Sequence, residues 1–329
     1  MGCSSDIDLL ALETRGFPRS DDAMTPRPAR SEGDRDDTHR DHPKPGTARA
    51  LTVVRRTEDL RAALQPWRAA GASIGVVPTM GALHAGHMAL VRAAQFECER
   101  VVTTIFVNPL QFNLAADLDT YPRDEAGDCA VLAAAGVDLL FAPSAAEMYP
   151  DGFATTVSLS GVTACLCGRS RPGHLTGVAT VVTKLLLQAL PTAAYFGEKD
   201  YQQLQMVRRL VRDLAIPVRI AAVATVRDAD GLALSSRNDR LTADERRRAP
   251  AMYHALQTVA GRLLAGGDTE AELAWGREAI LRGGFDRVDY FELRRDDTLA
   301  ALAHVEPPAR LFAAAWLGST RLIDNVAVC

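Results

Sequence analysis

Between residues 74 and 223 the chain keeps a strict rhythm, and that rhythm constrains its fold more than any other feature. Short apolar runs of strand length alternate with longer segments whose apolar residues recur at helical spacing. "SIGVVP", "RVVTTIFVNP", "VDLLFAP", "TAAYFG" and "PVRIAAVAT" read as strands. "GHMALVRAAQFECE", "DEAGDCAVLAAAG", "GVATVVTKLLLQAL" and "DYQQLQMVRRLVRDLA" read as the helices between them, and "TEDLRAALQPWRAAG" as a helix in front. Strands separated by helices pair through crossovers, so the expected architecture is α/β, a Rossmann-like doubly wound parallel sheet. After Val226 the rhythm breaks. A polar loop, two helices and the strands "DRVDYFELRR" and "ARLFAAAWLGSTRLIDNV" predict a smaller C-terminal α+β domain. At 329 residues the chain is too long for one ordinary core. The expected division is a larger domain over 49–225 and a lid domain over 226–329.

Residues 1–48 fit neither domain. The stretch "SDDAMTPRPARSEGDRDDTHRDHPKPG" is dense in Pro, Asp, Arg and Ser and buries too little apolar surface to order itself, so a disordered tail is expected. Its deletion is expected to leave activity and solubility unchanged. Met24 within it offers an alternative start of translation. The opening "MGCSSD" has Asp6 where a myristoylation signal wants Ser or Thr, and no apolar signal-peptide core follows. No apolar run is long enough to span a bilayer. The net charge of −4 argues against a nucleic-acid footprint, which is normally basic. The six cysteines (Cys3, Cys98, Cys129, Cys165, Cys167, Cys329) form no C-x-x-C pair, so reduced thiols in a cytoplasm are expected, with no zinc site.

The chemistry concentrates where strands end. "VVPTMGALHAGHMALVRAA", residues 76–94, hands a strand over to a helix through Gly81, His84, Gly86 and His87. A parallel strand's C-terminal end and a helix N-terminus together form an anion site, because free N–H groups and the helix dipole both point outward. Two imidazoles three residues apart share a face there. Gly81 and Gly86 are expected to remove side chains so that a flat or anionic ligand comes close. The pair reads as a phosphate contact, with a metal site or a structural role as alternatives; a metal needs a third ligand, and none stands nearby in sequence. The element is neither a Walker A loop nor a G-x-G-x-x-G fingerprint.

Three further segments fit the same crevice. In "GLALSSRN" (231–238), Ser235, Ser236 and Arg237 offer hydroxyls and a guanidinium fork to phosphate oxygens; alone, the loop reads equally as ordinary surface. In "YFGEKDYQQL" (195–204), Lys199 is placed to neutralise a transferring phosphoryl group, while Asp200 could bind ribose, position Lys199 or cap the following helix. In "IFVNPLQFN" (105–113), the amides of Asn108 and Gln111 suit a substrate carrying hydroxyls. "RSRPGHLTG" adds Arg171 and His174, either as anion contacts or with His174 ordering its loop.

The "HAGH" element resembles the H-x-G-H element of nucleotidyltransferases and class I aminoacyl-tRNA synthetases. With "PTMGALHAGH", "FVNPLQF", "DLDTYPR", "SRPGHLTGVATVVTKL", "YFGEKDYQQL", "VRDADGLALSSRN" and "TRLIDN" in order from about residue 51 to the end, the chain closely resembles the pantoate–β-alanine ligase family. The resemblance implies an AMP-forming ligase that joins (R)-pantoate to β-alanine through pantoyl adenylate, with ATP as substrate, Mg²⁺ on its phosphates, and a homodimer formed through the larger domain. It implies that His84 and His87 contact ATP phosphates, that Lys199 stabilises the α-phosphoryl transition state, and that Ser235, Ser236 and Arg237 clamp the phosphates. Met80, Gly81, Gly197, Glu198, Asp200, Val226 and Leu234 would border the nucleotide, with Gly197 and Asp200 holding the ribose. Pro78, Thr79, Met80, Gln111 and Gln203 would hold pantoate, and Asp128 would be the carboxylate near Mg²⁺. Members often carry a second acid just before that one, where this chain has Gly127, and a Met where it has Leu234. Another H-x-G-H nucleotidyltransferase, or a non-catalytic nucleotide-binding dimer, stand as the alternatives.

Overall fold

The computed structural model describes residues 51–112 and 118–329. The expected disordered tail, with Cys3 and Met24, lies outside them. The described residues belong to one compact unit.

The larger sheet contains β1 (Thr52–Val54), β2 (Ile74–Thr79), β3 (Arg100–Ile105), β4 (Leu139–Phe141), β5 (Ala193–Gly197) and β6 (Arg219–Val223). All its pairings are parallel, in the order β1-β4-β3-β2-β5-β6. From β2 the chain winds outward through β3 and β4; from β5 it winds the other way to β6. The order therefore reverses between β2 and β5, where an open α/β sheet leaves a crevice at its strands' C-terminal ends. β1, only three residues long and at the sheet edge, is too short for its periodicity to be read from sequence.

The helices covering this sheet are α1 (Thr57–Ala69), α2 (Ala85–Glu97), α3 (Glu125–Ala134), α4 (Ala145–Met148), α5 (Leu166–Ser170), α6 (His174–Ala189) and α7 (Tyr201–Asp213). The strands are apolar at consecutive positions because both faces are buried. Ile74, Val76, Ala194 and Phe196 pack into one core with Leu60 and Leu64 of α1, with α6, and with Leu204 and Val207 of α7. Val77, Ala193 and Tyr195 point the other way, onto Leu90, Val91 and Ala94 of α2 and Leu132 of α3.

The second sheet is antiparallel: β7 (Arg287–Arg295), β8 (Ala309–Leu317) and β9 (Thr320–Val328). The stretch read as one strand, "ARLFAAAWLGSTRLIDNV", is a hairpin turning at Gly318-Ser319, with Leu317 paired to Thr320. Helices α8 (Ala243–Arg248), α9 (Ala251–Leu264) and α10 (Thr269–Arg282) complete this part. Its own core gathers Leu256 and Val259 of α9, Ile280 of α10, and Phe291, Leu311 and Ala313 of the sheet. Tyr290 and Phe312 join the first core instead, so the small sheet is mortised onto the large one.

One close approach fixes the floor of the crevice. Gly177 of α6 lies against the turn after β3, where a Cβ would fall 2.1 Å from the Leu110 carbonyl oxygen and 2.7 Å from the Gln111 nitrogen. Both atoms are backbone, so neither can swing away. Gly177→Ala is expected to cost about 1–3 kcal/mol through overpacking and to displace Gln111. Urea unfolding checks this, and an unchanged midpoint would sink the claim.

Candidate active site

The motif-bearing segments converge on one cavity of about 770 Å³ between the C-terminal ends of β2 and β5 and the second sheet. His84, His87, Lys199, Ser235, Ser236 and Arg237 all line it, as do Pro78, Thr79, Met80, Gln111, Gly197, Asp200, Gln203, Val226 and Leu234. Gly81, Glu198 and Asp128 do not line it directly.

The turn from β2 into α2 explains why. Gly81 has φ +80° and Ala82 φ +51°, so two successive residues are left-handed. Beneath them lies Asp128 of α3, only 5% exposed. Its carboxylate accepts the Ala82 N–H at 2.9 Å and the Leu83 N–H at 2.8 Å. A Cβ on Gly81 would sit 2.8 Å from the same carboxylate. Gly81 therefore makes room for Asp128, and Asp128 clamps the turn by accepting both N–H groups. Gly127 packs against the neighbouring cap: Asp124 accepts its N–H at 2.9 Å, and a Cβ there would meet the Asp124 carboxylate at 2.3 Å.

Past the turn, the two histidines cap α2 reciprocally. His84 is the N-cap and its Nδ1 accepts the Gly86 N–H at 3.1 Å, while the His84 N–H donates to Nδ1 of His87 at 3.3 Å. Gly86 is glycine so that the His84 ring can fold back, since a Cβ would meet that ring at 2.9 Å. The rings stand 4.1 Å apart between centroids. Burial lowers the His84 pKa, helped by the Lys199 cation, and burial with His84 beside it pushes His87 down to about 3. Both rings are thus neutral at neutral pH. Because each Nδ1 accepts from the backbone, the proton resides on Nε2, and both rings present an N–H donor.

Across the crevice, Gly197 ends β5 and a 3-10 turn (Glu198–Asp200) leads into α7. Lys199 lies 4.0 Å from the Asp200 carboxylate and is largely shielded, with 18% of its side chain exposed. Asp200 occupies the N-cap of α7 yet makes no side-chain cap, so the capping alternative is not realised. Glu198 offers its carbonyl to Asn325, not its carboxylate to the cavity. The loop from β6 closes the far side. Leu234 donates its N–H to the Val226 carbonyl at 2.9 Å, Ser235 caps the 3-10 turn Ser236–Arg240, and Ser236 shares a 3.3 Å hydrogen bond with the Tyr121 hydroxyl. Tyr121, buried and lining the cavity, ties "DLDTYPR" to this loop.

Asn108 and Gln111 divide their work. Asn108 is 1% exposed, and every group of its amide is used: Nδ2 donates to Gln111 Oε1 at 3.0 Å and to the Gly177 carbonyl at 3.1 Å, while Oδ1 accepts from Tyr149 and Leu110. It builds the turn and does not line the cavity. Gln111 faces the cavity, its Nε2 resting on the weakly accepting Met80 sulfur at 2.9 Å. His174 holds its Nδ1 2.8 Å from the Gln111 carbonyl, and it lines the cavity together with Arg171. Among the described residues no cluster of three His, Cys, Asp or Glu side chains can hold a metal, and no helix is long and apolar enough to cross a membrane.

A family model described as pantoate-beta-alanine ligase matches residues 52–327. The chain belongs to the pantoate–β-alanine ligase family. It is 57% identical over 279 residues to the pantothenate synthetase of Chelativorans sp. (strain BNC1), covering 85% of this chain and 98% of that protein. Its fold matches the crystal structure of pantothenate synthetase from Thermus thermophilus with a TM-score of 0.80 and 48% identity, over 84% of this chain and 99% of that one. A pantoate-beta-alanine ligase from Francisella tularensis, complexed with beta-gamma ATP and beta-alanine, matches with a TM-score of 0.73 and 35% identity, over 85% and 98% of the two chains. The protein is thus a ligase of pantothenate biosynthesis that condenses pantoate with β-alanine using ATP.

The lowered pKa values of the buried histidines predict a fold that loses stability in acid. Above pH 6.5 the His87 ring is neutral in both folded and unfolded chains and contributes no pH dependence. As pH falls through 6.5 towards 3, only the unfolded chain takes up the proton, so stability is progressively lost. His174, pushed down to about 4 by burial and Arg171, acts in the same direction. His87→Asn retains an acceptor for the His84 N–H and removes the titration. Its Tm is expected to fall less steeply than the parent's between pH 6.5 and about 4.5; parallel curves would refute the assignment.

Proposed function

We propose that this cavity condenses pantoate and β-alanine in two steps. The pantoate carboxylate attacks the α-phosphorus of ATP; a P–O bond forms, the bond to pyrophosphate breaks, and pantoyl adenylate results. The amine of β-alanine, having lost a proton to solvent, then attacks the acyl carbon; a C–N bond forms, the C–O bond to AMP breaks, a second proton leaves the nitrogen, and AMP departs. The first nucleophile is already ionised at neutral pH, so the site needs positioning and charge stabilisation more than a base. The observation that carries this reading is the pair of backbone-pinned, neutral imidazoles facing the same cavity as Lys199 and the Ser235–Arg237 loop.

The Nε2–H groups of His84 and His87 donate to phosphate oxygens as pyrophosphate leaves. Lys199 meets the charge developing on the α-phosphoryl group. Ser235, Ser236 and Arg237 clamp the phosphates, Gly197 and Asp200 hold the ribose, and Val226 and Leu234 border the nucleotide. Gln111 and Gln203, with Pro78, Thr79 and Met80 as the wall, hold the pantoate hydroxyls and carboxylate. Both amides serve a polyol acid better than charged groups do, since each can donate and accept.

Mg²⁺ fits this site as a companion of the nucleotide and not as a resident of a protein cage. The donor set around the cavity is poor in carboxylates, Asp128 is committed to the turn, and Mg²⁺ characteristically keeps waters and phosphate oxygens as ligands. Of the carboxylates lining the cavity, Asp289 and Asp324 are paired with Arg321 and Arg227, so Asp200, with Asp128 beneath the histidine turn, is the group to approach it. When bound, Mg²⁺ offsets negative charge on the phosphates. A cytoplasmic homodimer built through the parallel-sheet domain completes the proposal. Phe96, 87% exposed on α2, is an apolar surface residue of that domain. Light scattering should give twice the chain mass, and a monomer mass at micromolar concentration would remove the dimer.

Loss of one donor aimed at developing charge typically costs on the order of 10²–10³ in rate. His84→Ala, His87→Ala and Lys199→Ala are each expected to lose that much while remaining folded. AMP release that needs both pantoate and β-alanine is the readout. Near-parental turnover in folded Lys199→Ala would end its assigned role. Asp128→Asn is expected to lower kcat and Tm without moving the Mg²⁺ concentration for half-maximal rate. A selective rise in that concentration would return Asp128 to the metal.

A further inference from the structure

The "TRLIDN" segment carries no role in the chemistry above, yet its last two residues are among the most fully bonded in the molecule. Asp324 and Asn325 are neighbours on β9, 6% and 4% exposed. Adjacent residues of a strand point to opposite faces of their sheet. Leu322 and Val326, in step with Asp324, face the core of the smaller part, whereas Ile323, in step with Asn325, packs on the core of the larger sheet. The dipeptide therefore reaches two separate segments of the active site.

On the larger-sheet side, the Asn325 amide donates to the carbonyls of Glu198 at 2.9 Å and Lys199 at 3.0 Å. Its own oxygen accepts from Arg310 at 2.6 Å. Arg310 is braced in turn: it donates to Asp296 at 2.7 Å and lies 3.7 Å over the Tyr201 ring. The Tyr201 hydroxyl donates to the other oxygen of Asp296 at 2.7 Å. On the opposite face, Asp324 accepts a fork from Arg227, at 2.5 and 2.8 Å. Arg227 also donates to the Gly231 carbonyl at 3.0 Å and stacks 3.9 Å from the Tyr253 ring. Through it the carboxylate holds the base of the loop bearing Ser235, Ser236 and Arg237.

We infer that Asp324 and Asn325 are positioning residues, one setting the phosphate-clamping loop and the other the backbone of Lys199, so that a single dipeptide of the small sheet registers the two halves of the site. The inference rests on Lys199 and that loop acting as proposed above. Two backbone carbonyls held by one rigid amide leave the Lys199 turn little freedom, and a misplacement of about 1 Å costs on the order of 10²-fold in rate.

The test uses the full chain and steady-state kinetics with ATP, pantoate and β-alanine. Asn325→Ala removes the amide; Asn325→Asp keeps its shape and its bond from Arg310 but donates to neither carbonyl. Both are expected to lower kcat roughly 10- to 100-fold with KM for pantoate unchanged, and to lower Tm as well, because each breaks a buried hydrogen-bond network. Asp324→Asn is expected to raise KM for ATP more than it lowers kcat. In a Lys199→Ala background, Asn325→Asp should cost nothing further, because residues acting through one another are not additive. Parental kcat in Asn325→Asp alongside a crippled Lys199→Ala, or a full additional loss in the double variant, would overturn the inference while leaving Lys199 in place. Parental turnover in Lys199→Ala would overturn the reading beneath it.

Discussion

The two hydrogen bonds from Ala82 and Leu83 to the buried carboxylate of Asp128 are the interaction on which the site depends. The chain must leave β2 and enter α2 within a few residues while aiming two imidazoles into the crevice. It does so by placing Gly81 and Ala82 in left-handed conformations, and for Ala82, which has a Cβ, that costs on the order of 1–2 kcal/mol. A carboxylate accepting two backbone N–H groups makes bonds about twice as strong as neutral ones, enough to offset the strain. The same carboxylate leaves no space for a side chain at Gly81. Once the turn is fixed, His84 can only be the N-cap, and the capping exchange between His84 and His87 follows.

From that fixed edge the remainder of the site is a problem of registration. β2 and β5 are neighbours in one parallel sheet, so the His turn and the Lys199 turn inherit a common reference. The Ser235–Arg237 loop has no such reference, because it follows the last parallel strand, between Leu232 and Leu241, which pack on the other core. Its links to the larger sheet are made by side chains: Tyr121 to Ser236, and the bonds that radiate from β9. A loop held by a few polar side chains can shift its distance to the phosphates without disturbing either core, which suits an enzyme whose substrates must enter before the site closes.

The sequence was legible where a local rule and the tertiary need coincided. Doubly buried strands write themselves as continuous apolar runs, and ligand-binding groups gather at strand ends, so the parallel sheet and most cavity residues could be named in advance. It misled where one residue's reason lies far away in the chain. Gly81 answers to Asp128, and Gly86 to the His84 ring, packing reasons that the local sequence does not disclose. Asn108 reads as a substrate amide until its partners, Tyr149 and Gly177, are known to lie beside it. Asp324 and Asn325 were visible only as part of a family segment. Nothing in their spacing discloses that neighbouring strand positions serve two different turns.

The neutrality of the histidine pair has a consequence for how charge is shared across the cavity. Two imidazolium rings with centroids 4.1 Å apart would repel one another, and their burial would add the cost of desolvating two cations. Neutral Nε2–H donors avoid both penalties and still supply directed hydrogen bonds. The cationic side chains at the cavity are therefore Lys199 and the arginines on its walls, Arg237 among them. A wall that carried its cations on every face would hold pyrophosphate as tightly as the transition state that releases it, and binding both equally well does not accelerate the chemical step. Donors without net charge on one side and cations on the other let the site respond to charge moving across it, away from the carboxylate and towards the departing phosphates. The same division explains why the imidazoles are pinned through Nδ1: a free ring could rotate or take a second proton, and either change would replace a donor of fixed direction with a cation of none.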